Sequence, residues 1–132
     1  MSKKQCHLEM IQGIVNRLSH NSFLLKGWTV VLVSAMFALA AKDKNELFIY
    51  LALFPAIAFW LLDGYFLWQE RLFRALYDHV RKLKDENIDY SMNVKNANVN
   101  EVTWIHALFS KTLITFHGVI IILIILIMLL TL

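Results

Sequence analysis

Charge is segregated along this chain to a degree that few soluble folds tolerate. Every Asp, Glu, Lys and Arg falls within residues 1–26, 42–46 or 63–111, and the rest is apolar in blocks. Blocks of that kind read as a chain solvated by lipid, whereas a soluble core sets its apolar residues at helix or strand periods. Three blocks match the roughly 17–25 residues of a bilayer crossing. They are residues 22–41, 47–68 and 112–132. The overall hydrophobic share is 58% of 132 residues, against about 45–50% in an ordinary soluble domain. The expected fold is all-α: an integral membrane protein with three transmembrane helices, an N-terminal amphipathic helix and a cytoplasmic helical extension of the second span.

Residues 1–21 form the N-terminal segment. Leu8, Ile11, Ile14, Val15 and Leu18 recur at helical spacing over 7–20. The stripe lacks Trp and Phe, which favours packing on another cytoplasmic helix over lying in the bilayer interface. Met1–Lys4 is basic, but no apolar run follows, so a secretory signal is not expected. His20-Asn21-Ser22 interrupts the stripe, and Asn21 or Ser22 is placed to cap the next helix. In span one, Lys26 is expected to snorkel to the headgroups. Gly27, Ser34, Ala35 and Ala38 allow close helix approach. Residues 42–46 make a tight turn into span two, 47–68, where Pro55 predicts a kink.

The second span runs on without punctuation through Gln69–Lys84. Leu72, Phe73, Leu76, Tyr77, Val80 and Leu83 form an apolar stripe that needs a partner outside the bilayer. Glu70/Arg74, Arg74/Asp78 and Asp78/Lys82 are opposite charges at i,i+4. An Asn-rich loop follows over 85–100. A mildly amphipathic helix over 101–111 then leads into span three. Eleven Lys and Arg flank the N-terminus and residues 69–111, against Lys42 and Lys44 in the short turn. That asymmetry places the N-terminus and residues 69–111 in the cytoplasm and the C-terminus outside.

Conventional catalytic chemistry is not written here. His7, His20, His79, His106 and His117 make no i,i+3 or i,i+4 metal pair. No Gly-rich phosphate loop, nucleophile elbow or carboxylate pair is present. His106 and His117 could share one helix face. The lone Cys6 reads as an unpaired cytosolic thiol. The chain is not expected to be an enzyme or to hold a cofactor. The most unusual residue is Asp63, a carboxylate within an apolar run and about 24 Å along the helix from Leu47. It is either an interfacial carboxylate bound to a neighbouring helix or, with Tyr65 and Glu70, part of a pore mouth or gate. Arg71, Arg74, Arg81, Lys82, Lys84 and Lys95 are either a basic membrane flank or a ligand surface for phosphates. Trp104, with Tyr90 and His106, would suit exposed bases.

Two spans, then a basic amphipathic helix, with the junction LDGYFLWQERLFRALYDHVR, resemble the SLATT group of bacterial membrane effectors. The residues that carry the resemblance are Tyr65, Glu70, Arg71, Phe73, Arg74 and Tyr77, and it covers about residues 8–84. It implies an oligomeric pore former of the bacterial inner membrane, linked to nucleotidyltransferases in anti-phage defence. The added third span departs from that pattern. It also resembles the membrane effector of Hailong-type systems, in which a nucleotidyltransferase product, a DNA oligomer, keeps the membrane protein inactive. The implied activity is a homo-oligomeric pore or ion channel, held closed by a nucleotide or single-stranded DNA oligomer and depolarising the membrane on release. The alternatives are a non-conducting anchor that docks a partner through residues 69–84, or a holin-like lesion former.

Overall fold

The computed structural model describes residues 2–132. The helices are α1 (Lys3–Asp43), α2 (Leu47–Leu51), α3 (Leu53–Val80), α4 (Trp104–Leu108) and α5 (Lys111–Leu130), with no strand among the described residues. Three segments, Lys3–Asp43, Leu47–Val80 and Lys111–Leu130, are long and apolar enough to cross a membrane.

α1 is a single helix of 41 residues, about 60 Å long and twice the thickness of a bilayer core. The cap expected at Asn21 or Ser22 does not form. No Gly or Pro stands there to break the helix. The Ser22 hydroxyl donates to a side chain on α3 and so does not compete for the backbone. The real start is Ser2, in a capping box with Gln5. At the far end Lys44 takes a left-handed conformation (φ 51°), closing α1 and turning the chain into α2.

Pro55 predicts a kink in the second span; what is seen near it is a break between α2 and α3. With no N–H at 55, the Leu51 carbonyl loses its helical donor. The helix is interrupted at Ala52, which keeps right-handed angles (φ −64°, ψ −24°) so that α3 continues the path of α2. Ala52, Pro55 and Ala56 are buried. Ala52 and Ala56, with Val33, Ile49 and Ile124, form an apolar core joining α1, α2, α3 and α5.

A second core lies at the polar end of the molecule. Ile11 and Val15 of α1 meet Leu76 and Val80 of α3, and Ile88 of the following loop closes over them. The amphipathic stripe of residues 69–84 therefore finds its partner within the chain: the N-terminal helix, as the sequence favoured, and the loop. The loop is held by turn bonds of the expected kind. Asp89 accepts from the Ser91 amide and Asn93 from the Lys95 amide, both at 3.0 Å. Asp85 accepts from the Lys4 amide at 3.0 Å, so a carboxylate sits on the N-terminus of α1. Buried His7 donates from Nε2 to the Ser91 carbonyl at 2.9 Å.

After the loop the helix expected from residue 101 begins at Trp104, because Thr103 takes the cap and accepts from the His106 amide. It ends at Leu108, and Ser110 caps α5 anew. His106 and His117 consequently lie on different helices. His106 is exposed and His117 buried, so they share no face.

Candidate functional site

Asp63 has no exposed surface. Three side chains from two other helices converge on it. The Ser22 hydroxyl of α1 donates to Oδ1. The Lys26 ammonium, also on α1, lies 2.6 Å from Oδ2. His117 of α5 reaches the same oxygen from Nε2 at 2.7 Å. Lys26 further donates to Ser22 Oγ at 2.9 Å. One carboxylate thus ties all three long helices at a single level.

The electrostatics explain why the cluster exists as a set. A carboxylate removed from water is costly unless paired and fully hydrogen-bonded. Here Oδ1 has a hydroxyl, and Oδ2 has an ammonium and a ring N–H. Lys26 does not snorkel as the sequence suggested. Its head, 19% exposed, is paired with the buried carboxylate. Immediately below, Thr29 is buried and donates to its own Leu25 carbonyl, and beyond it the core is apolar. Among the described residues the Nδ1 of His117 has no hydrogen-bond partner.

Glu70 and Arg74, about two and three helical turns further along α3, line a crevice above this cluster together with Ser19, Ser22, Lys26 and Thr112. Their ion pair is loose, at 3.6 Å. Asp63, Glu70 and Arg74 are therefore neighbours, as are Ser22, Lys26 and His117, which the sequence reading did not assign to the site. One signal could have found Lys26 and His117: the apolar spans 22–41, 47–68 and 112–132 each carry a single residue of the Asp, Glu, Lys, Arg and His set.

Tyr65 stands apart. It projects to the other side of α3 and meets Trp68 and Trp104 edge-on, while those two indoles stack at 6.3 Å and 9°. All three nearby indole N–H groups donate across the α3–α4 contact. Trp60 donates to the Leu108 carbonyl (3.0 Å), Trp68 to that of Val102 (3.2 Å) and Trp104 to that of Leu61 (3.1 Å). Gly64 lets α4 come this close. A Cβ there would overlap Leu108 Cδ2 and sit 2.9 Å from its Cγ.

The remaining basic residues do not join either group. Arg71 is half-buried on α3. Arg81 pairs with Asp78 at 3.0 Å, taking the carboxylate that the i,i+4 spacing assigned to Arg74 or Lys82. Lys82 borders a small hollow with His79 and Asn98, and Lys84 and Lys95 are exposed. No group of three or more His, Cys, Asp or Glu among the described residues could hold a metal. The chain matches no protein-family model, no curated protein and no solved structure.

Proposed function

We propose that this chain is the subunit of a homo-oligomeric membrane pore or ion channel. The observation that carries the reading is the Lys26–Asp63–His117 cluster, charge buried where three membrane-length helices meet. Ionisable groups at such positions are expensive and tend to be kept for function. Conduction would need several copies. Between the crevice at the polar end and the hairpin turn, the residues clustered between the helices, Val33, Ile49, Ala52, Ala56 and Ile124, are all apolar, so a polar passage would form between copies. Gly27, Ser34, Ala35 and Ala38 lie exposed on α1, free to contact a neighbour.

The wider role rests on the resemblance of the Leu62–Arg81 junction to bacterial defence effectors. In that role the pore sits in the inner membrane with the N-terminus and residues 69–111 cytoplasmic. A nucleotidyltransferase-derived nucleotide or DNA oligomer holds it closed, bound through exposed Lys82, Lys84 and Lys95 with Arg81. A C-terminal alkaline phosphatase fusion should be active in this orientation; an inactive but stable fusion contradicts it. Replacing Arg81, Lys82 and Lys84 with Gln should flatten the salt dependence of oligonucleotide binding, and unchanged binding across salt rejects that surface.

Conduction is tested by expressing the chain without partner genes and following a voltage-sensitive dye. Depolarisation and growth arrest are expected. Polarised, growing cells with the protein inserted would leave the anchor reading, and entry of large dyes would favour the lesion former.

A further inference from the structure

The crevice above Asp63 has a volume of 420 Å³ and lies between α1, α3 and the start of α5. Ser22 and Lys26, which hold Asp63, close its floor, and the core below is apolar. Glu70 is the group within the crevice that lacks a good partner. Its side chain is only 12% exposed, Arg74 is 3.6 Å away, and among the described residues it accepts no hydrogen bond. Arg74 is 58% exposed.

A lateral groove of 540 Å³ begins at Thr112, a residue common to both spaces. It runs between α1 and α5, along Val30, Phe116, Val119 and Ile120, with Lys111 at its upper end. With Lys26 paired to Asp63, the other charged residues lining the two spaces are Glu70 and Arg74 in the crevice and Lys111 in the groove. Two cations beside one carboxylate complement a phosphodiester joined to an ammonium.

We propose that crevice and groove together bind one aminophospholipid of the bilayer. Its phosphodiester lies on Arg74 and Lys111, its primary ammonium on Glu70, and an acyl chain along Val30, Phe116 and Val119. A phosphatidylcholine has no N–H to offer Glu70, so the site prefers phosphatidylethanolamine. The proposal rests on membrane placement of the three helices and is independent of conduction.

The test is native mass spectrometry of the delipidated full chain in detergent, with dioleoyl phosphatidylethanolamine, its mono- and dimethyl derivatives, phosphatidylcholine and phosphatidylglycerol. In the wild type, binding should fall about tenfold at the fully methylated headgroup, the loss of one charge-assisted hydrogen bond. Glu70→Gln should erase that preference, and Arg74→Gln should weaken every lipid. Equal retention of phosphatidylcholine and phosphatidylethanolamine overturns the proposal, as does a preference that survives Glu70→Gln. If Val119→Cys forms disulfide-linked dimers in near-complete yield in the bilayer, a second copy fills the groove and the lipid does not. The methylation series on the wild type decides the matter even where a variant fails to fold.

Discussion

At the scale of single residues, Asp63 decides most. Removing its charge leaves the mostly buried Lys26 ammonium without its counter-ion, and breaking a buried pair in this way costs about 3–5 kcal/mol. Asp63→Asn should therefore lower the unfolding midpoint in detergent markedly. Replacing both partners, Asp63→Leu with Lys26→Met, should cost less than Asp63→Asn alone, since no uncompensated charge remains. Additive losses in that cycle would mean that the pair does not interact. Gly64 makes a steric prediction next to this electrostatic one. Ala is the better helix former by about 1 kcal/mol, yet its methyl must displace Leu108, at about 1–3 kcal/mol of overpacking. Gly64→Ala should destabilise the fold on thermal melting; a gain would show that α4 yields freely. Asp63 itself was legible in the sequence as an anomaly within an apolar run. Its partners were not, because Ser22 and Lys26 sat where a cap and a snorkelling lysine are the ordinary expectation, and only the α1–α3 register turns both inward.

At the scale of elements, the same α1–α3 pair is held by two kinds of physics. In its polar half, burying Ile11, Val15, Leu76 and Val80 removes apolar surface from water, worth about 1.5–3 kcal/mol for each full side chain. In its apolar half lipid competes on equal terms with any Leu or Ile, so association depends on close packing and polar contacts. That division explains where sequence reading succeeded. The stripes on both helices and the Pro55 interruption follow from periodicity and covalent geometry. The course of residues 101–110 does not, because α4 is fixed by long-range indole hydrogen bonds and by a glycine 40 or so positions earlier in the chain. Trp60→Phe, Trp68→Phe and Trp104→Phe keep most of the area and lose one donor each, at about 1 kcal/mol. Hydrogen exchange over residues 102–110 should quicken in all three. Unchanged protection would make α4 an independently stable turn.

At the scale of the whole molecule, the exposed surface is that of a chain built for apolar company. Phe54 is 77% and Leu130 85% exposed, and patches of that kind on a soluble monomer would mark an interface or an aggregation hazard. The core shared by the helices of one protomer is apolar, so the proposed conduction is a property of an assembly. The most direct measurement is the current through a planar lipid bilayer after adding the purified wild-type chain, with Asp63→Asn as its comparison. Pore formation predicts discrete, ion-selective current steps for the wild type and an altered conductance or selectivity for Asp63→Asn. A silent bilayer containing demonstrably inserted protein contradicts it.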